Sequence, residues 1–470
     1  MDRRGATTLG VTAALLALGA ALRLRPYAAC PSYWYDEAYL LLNVRDASFL
    51  GLLGPLRDDQ AAPPLFLWAL RGLYLLAGGS EWCMRLPALA AAAAGLFAMV
   101  PLARRAVGRR AAVWAVAFCA LAHHAAAHAA EVKPYALDFL LTQLVLLAAL
   151  RCRPAGRGRA ALAVLAVLGP WASYPSVFVL GGAGLALWAR ALRRPRRLLF
   201  PAVWSALFGA SVFVLWLTAA RFQANAGLRA FWAGSFLDLS SPDAAVAWVG
   251  RCLVEVGNYG TREMGGPLLL LALAGAASLR RAPRRVLLLA GPLLLALAAS
   301  ALRVYPLGGR LLFFLTPCVW LLAARGAGAL VRRAPARCRG WAAALPAVLL
   351  LPAALWASRL LVVVTPRCQF REAFAHVAAR RGPNDVLWVS HPQVYEVYHG
   401  APPDLGAYSR PDAVGRAARA GRLWVVCTVA GARRQLTAGD AVARVRAAGG
   451  VAVHRRRFRG LDVVLYAPGR

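Results

Sequence analysis

The stretch from Leu121 to Asp138, LAHHAAAHAAEVKPYALD, joins two long apolar runs and holds three histidines, two acids and the only lysine in the chain, Lys133. A charge at the edge of a membrane-length apolar segment is costly, so an ionisable cluster there marks a functional site by default. Around it the composition is that of a membrane protein: 60% of residues are hydrophobic and 16% charged, against about 45–50% and about 25% in an ordinary soluble domain. The formal net charge is +35. The arginines fall in short clusters at 103–110, 151–159, 190–197, 280–285 and 325–339, each between two apolar runs. That is the pattern of positive cytoplasmic loops, and no aromatic-interleaved basic stripe accompanies it, so nucleic acid is excluded as a partner.

With the arginine clusters inside, apolar runs at 8–25, 85–103, 111–130, 135–150, 160–173, 175–190, 198–220, 266–280, 286–302, 310–325 and 340–358 predict about 11 transmembrane helices. The first run lacks a small-residue cleavage site and reads as an uncleaved span with a cytoplasmic N-terminus. Nearly all acids then fall outside. The expected fold is a mainly α polytopic membrane protein, 1–358, with a small C-terminal extracytoplasmic α/β domain, 359–470, in which short β-rich runs such as VLWVS and DVVLYAP alternate with helical patterns. Residues 26–84 form a long first external loop, and within it PPLFLWALRGLYLLAGG is expected to lie along the membrane, with Pro63-Pro64 at its start and Arg71 in mid-segment.

Three constellations could carry chemistry. Asp36 and Glu37 sit in the apolar, aromatic SYWYDEAYLLLNV, where a carboxylate held away from water suits a general base and a solvated helix start is the plainer reading. His124, His128 and Glu131 recur at i, i+4 and i+7, one stripe on a helix, which suits either a polar helix interface or a divalent cation. Lys133 is then a counter-charge for Glu131 or for an anionic headgroup, and Pro134 starts the next helix at Tyr135. In RVYPLGGRLLFFLTP, Arg303 and Arg310 flank a turn placed outside, where an arginine fork matches phosphate oxygens or snorkels to lipid headgroups. His391, Glu396 and His399 have no metal or triad spacing and read as structural. Cys368 and Cys427 share the C-terminal part and could pair.

Taken in order, the DE pair, PPLFLWALRGLYLLAGGSEWCMRLPAL, AEVKPYALDFLL, YPLGGRLLFFLTP and REAFAHVAARRGPNDVLWVS resemble the GT-C fold glycosyltransferases that use polyprenyl-phosphate sugars, nearest to the bacterial protein mannosyltransferase and aminoarabinose-transferase-like superfamily. The resemblance spans about residues 8–410. It implies an inverting transferase of the plasma (inner) membrane that moves a sugar from a polyprenyl-phosphate carrier to a hydroxyl of a protein, lipid or cell-envelope glycan on the outer face. It implies Asp36 as the base, with Glu37 and Glu131 orienting the acceptor or holding a cation. Lys133, Arg310 and Arg303 would bind the donor phosphate, and Tyr35, Tyr135 and Tyr305 would line the substrate. Lys133 stands where the family pattern usually has arginine, keeping the charge without the bidentate fork. The competing readings are a transporter or flippase, which internal repeats and mid-bilayer charges would mark, and a noncatalytic polyprenyl-lipid-binding protein.

Overall fold

A computed structural model describes residues 3–152, 156–192, 198–406, 411–428 and 438–468. The chain divides into two compact units, one of residues 1–29, 48–78 and 82–364, the other of 30–47, 79–81 and 365–470.

The first unit is helical. Its helices are α1 (Arg3–Ala29), then, after the short α2 (Tyr35–Asp46) that belongs to the second unit, α3 (Pro64–Ala77), α4 (Glu81–Ala106), α5 (Arg109–Leu121), α6 (His123–His128), α7 (Tyr135–Arg151), α8 (Arg157–Ala172), α9 (Ser176–Ala191) and α10 (Leu199–Leu215). There follow α11 (Arg221–Gln223), α12 (Ala226–Phe231), α13 (Pro242–Thr261), α14 (Gly265–Ser278), α15 (Pro283–Ala301), α16 (Thr316–Arg333), α17 (Arg339–Leu349) and α18 (Leu351–Val362). Every expected span has a helix at its place. Among the described residues, however, five helices are long and apolar enough to cross a membrane, or six if the bent pair α17 and α18 counts as one. Several of the others, such as α5 with 13 residues and α7 with 17, fall short of the ~20 residues that a bilayer asks of a straight helix.

The run 111–130 does not form one helix. Ala122 adopts extended backbone (φ −61°, ψ 111°), so α5 stops and the histidines start a separate six-residue helix. Pro134 does precede a new helix, α7, and Pro64 occupies the first turn of α3, where a missing N–H costs nothing. The core of this unit is built on the short apolar side chains of α5, the C-terminal half of α7 and α16, closed by Phe118, Phe139, Phe313 and Trp320, all nearly inaccessible. Alanine-rich faces let these helices approach closely.

The second unit is an α/β body. It holds α2, α19 (Phe370–Ala378), α20 (Pro392–His399), α21 (Pro411–Ala420) and α22 (Ala438–Ala447) with strands β1 (Val386–Val389), β2 (Leu405–Gly406), β3 (Leu423–Thr428), β4 (Gly450–Phe458) and β5 (Leu461–Pro468). The sheet order is β2-β1-β3-β5-β4, parallel at β1 with β2 and β3, antiparallel at β5 with β3 and β4. β3 is buried along most of its length and so reads as a continuous apolar run, while β4 is an exposed edge with Arg455, Arg456 and Arg457. Residues 30–47, expected within the first external loop of the segment 1–358, group instead with this unit, where Ala38 of α2 packs with Phe370, Ala373 and Phe374 in its core. Cys368 and Cys427, which the sequence left open as a pair, are both free and separately buried, Cys427 lying 3.6 Å from the Asp462 carbonyl.

Candidate functional site

In the helical unit the site grows from the turn between α6 and α7. Glu131 lies beyond the end of α6 rather than on its stripe, and its carboxylate meets Nδ1 of His128 at 2.8 Å, both side chains nearly out of reach of water. The Lys133 N–H closes the turn on the Glu131 carbonyl at 2.8 Å, and its ammonium donates to Oε1 of Gln60 at 2.7 Å in a buried setting. Gln60 is a residue that the sequence reading did not select. Its loop is pinned two residues later, where the Ala62 N–H and the Tyr174 hydroxyl both donate to Oε1 of buried Gln223, at 3.1 and 2.7 Å. The Lys133 side chain is thus held at low exposure, 6% of its surface remaining accessible.

Arg310 comes to the same turn. Its guanidinium lies 5.7 Å from the ring centre of Tyr135 and 5.9 Å from that of Trp232, within cation–π range. Tyr135 also touches His128, with ring centres 5.0 Å apart, and His128 touches Phe313 at 4.9 Å. His124 packs on Tyr259 at 3.9 Å. Lys133, Tyr135 and Arg310 are therefore brought together, with His128 and Glu131 beside them. Arg303 is not: it is exposed, in a left-handed backbone conformation (φ 55°), over the ring of Phe236. Tyr305 turns to Phe178 and Phe314. His124, His128 and Glu131 do not make a ligand set, since Glu131 is engaged with His128 on the far side of a turn; among the described residues no group of three or more His, Cys, Asp or Glu side chains is arranged to hold a metal ion.

The loop that carries Arg310 has a second unforeseen support. Gly309 stands at φ 52°, and its N–H donates to Oε1 of Glu255 at 2.8 Å. Burial pushes the Glu255 carboxyl up, and the hydrogen bond from Gly309 opposes that rise. Gly309→Ala is expected to strain the left-handed turn by about 1 kcal/mol and Glu255→Ala to leave the Gly309 N–H without its acceptor at a cost of about 1–3 kcal/mol. Thermal unfolding of the two variants measures both costs; unchanged melting in Glu255→Ala would remove this anchor.

In the α/β unit, Asp36 and Glu37 begin α2, where acids favour a helix N-terminus. Glu37, 2% exposed, accepts the Trp34 N–H at 3.2 Å, so it is committed to capping its own helix. Asp36 is buried too, and one turn on, Tyr39 shares a 2.8 Å hydrogen bond with Nδ1 of His391. Tyr35 stacks on the same imidazole, centres 4.5 Å apart and planes 11° from parallel. Arg45 at the end of α2 binds Glu396 at 2.5 Å. Glu81 gathers the preceding segment: it accepts the Tyr33 N–H at 3.1 Å, the Tyr398 hydroxyl and the Arg371 guanidinium. Glu396 is engaged by Arg45, and His391 is tied to the helix of Asp36. Only a histidine followed by proline signalled it in sequence.

Burial pulls the His391 imidazole down to about 4 from an ordinary 6.5, with the Asp36 charge working the other way. The unfolded chain therefore binds this proton more readily than the folded one. Stability from this group is complete above pH 6.5 and is lost as pH falls towards 4, at up to about 1.4 kcal/mol per pH unit. Melting temperatures between pH 7 and 4.5 should fall less steeply in His391→Gln than in the parent; parallel slopes would assign the acid sensitivity elsewhere.

Residues 61–216 match the family described as Dolichyl-phosphate-mannose-protein mannosyltransferase. The chain is similar in structure to ArnT from Cupriavidus metallidurans, both in the apo state (TM-score 0.53, 15% identity, 99% of this chain and 98% of that one) and bound to undecaprenyl phosphate (TM-score 0.52, 14% identity, the same coverage). It is also similar to the apo oligosaccharyltransferase of Archaeoglobus fulgidus, with a TM-score of 0.52 and 12% identity over 90% of this chain and 69% of that one. No curated protein matches by sequence. The fold is the GT-C fold that the sequence motifs led us to expect.

Proposed function

We propose that the protein is an inverting glycosyltransferase that moves a sugar from a polyprenyl-phosphate carrier to a hydroxyl acceptor on the outer face of a bacterial plasma membrane, with its N-terminus cytoplasmic and its α/β unit outside. The observation that carries this reading is the buried Lys133, held by Gln60, with Arg310 brought to the adjacent Tyr135. Two cations at the edge of an apolar helical unit suit a lipid-linked phosphate, and ArnT, the structural relative, was crystallised with undecaprenyl phosphate.

The acceptor oxygen attacks the anomeric carbon from the face opposite the phosphate. As the carbon–oxygen bond to phosphate breaks, the hydroxyl proton passes to Asp36, and the bonding pair leaves on the polyprenyl phosphate. Lys133 and Arg310 stabilise the negative charge that grows on that phosphate, a differential effect that lowers the barrier rather than only tightening binding. Glu131 keeps His128 oriented beside Tyr135, and Glu37 fixes the start of the helix bearing Asp36. Tyr35, the first residue of that helix, stacks on His391.

Membranes containing the full chain, supplied with radiolabelled polyprenyl-phosphate sugars of several kinds, test the reading. Transfer of label to a hydroxyl acceptor with inverted anomeric configuration is expected. Binding of polyprenyl phosphate without transfer from any donor would instead make the protein a lipid binder, and movement of intact donor between leaflets would make it a flippase.

A further inference from the structure

At the far end of α7 from Tyr135, about 25 Å along a helix of 17 residues, lies a cavity of about 660 Å³. It is lined by Arg105 at the end of α4, Arg151 at the end of α7, Arg157 at the start of α8, and Arg284 and Arg285 at the start of α15. Arg105, Arg151, Arg157 and Arg285 are exposed and Arg284 is half-buried, so solvent screens their mutual repulsion, and together they still put a concentrated positive charge around one cavity that favours an anion there. Among the described residues, none that lines the cavity is acidic. No Asp or Glu occurs between Glu81 and Glu131, between Asp138 and Asp238, or between Glu263 and Glu372, and all five arginines belong to these three segments.

The walls are built to hold the charges. Arg284 is tied to the last turn of α7 through a 2.8 Å hydrogen bond to the Ala149 carbonyl. At Gly158 a Cβ would come within 2.6 Å of the Arg151 carbonyl group, so only glycine lets the start of α8 sit against the end of α7. The N-termini of α8 and α15 open here, and the positive ends of their helix dipoles add to the field.

We propose that this cavity is a second anion site, separate from the transfer site, which takes a multiply charged phosphate group. A guanidinium fork binds phosphate oxygens bidentately, and basic pockets between membrane helices on the arginine-rich face suit the head group of an anionic phospholipid or a soluble diphosphate.

The test uses the full chain purified in neutral detergent, its thermal unfolding followed while cardiolipin, phosphatidylcholine or sodium pyrophosphate is added. Cardiolipin is expected to raise the melting temperature, phosphatidylcholine not, and an Arg151→Gln/Arg285→Gln variant should need at least about tenfold more cardiolipin for half the effect, the loss of two charge-assisted contacts. A matching arginine-dependent response to pyrophosphate assigns a soluble anion, and a response to cardiolipin alone assigns a lipid head group. Equal responses to cardiolipin and phosphatidylcholine, or a cardiolipin response unchanged in the variant, overturn the proposal. Should the double variant not fold, Arg157→Gln, at an exposed side chain, is expected to weaken the response at least about threefold, and an unaltered response in it is equally decisive against the site.

Discussion

Asp36→Asn is expected to lower sugar transfer by about 10²–10⁴-fold, the usual contribution of a positioned general base, while the protein still melts within a degree or two of the parent. Asparagine has the shape of aspartate and can still accept a hydrogen bond, but it cannot take the acceptor's proton. The removed charge was also one that favoured protonation of His391, so the histidine should titrate still lower in the variant. The plainer role for Asp36 is that of an acid at a helix N-terminus, worth about 0.3–1 kcal/mol. In that case transfer would stay within a fewfold of the parent and only stability would change. Initial rates with saturating donor, set beside melting curves of the same preparations, separate the two, and a near-normal rate would remove Asp36 as the base.

Lys133→Met is the second large effect. Methionine keeps much of the side-chain volume and deletes the charge, so kcat/KM for the lipid-linked donor should fall by about 10²–10³-fold, as when one preorganised electrostatic contact to a transition state is lost. Lys133→Arg should recover part of it. Gln60→Ala should cost less, about tenfold, since it removes one hydrogen bond that positions the ammonium and leaves the charge in place. The readout that a purely structural lysine would not move is inhibition by polyprenyl phosphate, the product, which should weaken in step with kcat/KM. If Lys133 only neutralises the Glu131 region, Lys133→Met would lower the melting temperature while product inhibition and the rate per folded molecule stayed as in the parent.

Much of the helical unit was legible because the signal is local. An apolar run long enough to approach membrane length is written in consecutive residues, and Pro64 and Pro134 mark where helices begin. The sheet was partly legible for the same reason: β1, β3 and β5 are buried runs of Val, Leu and Trp, whereas β4, with its three consecutive arginines on an edge, has no apolar pattern to read. The break at Ala122 was not legible, since alanine is the best of helix formers and only the packing of His123 against Trp356 and His124 against Tyr259 accounts for the turn away from a straight helix.

From the sequence alone follow the membrane class, the α/β texture after about residue 360, the acid-free segments that carry the arginines, and the singularity of Lys133 beside Glu131. Hydrophobicity and charge are properties of short windows, so they survive without a fold. Tertiary structure alone decided the partners: Gln60 for Lys133 across 73 positions, Glu255 for Gly309 across 54, Tyr39 for His391 across 352. It also parted Arg303 from Arg310, two arginines seven positions apart whose side chains rest on different aromatic rings. A buried polar group must find a complement somewhere, but which one depends on the packing of distant apolar surfaces, and that is set by the whole chain rather than by the residues around the group.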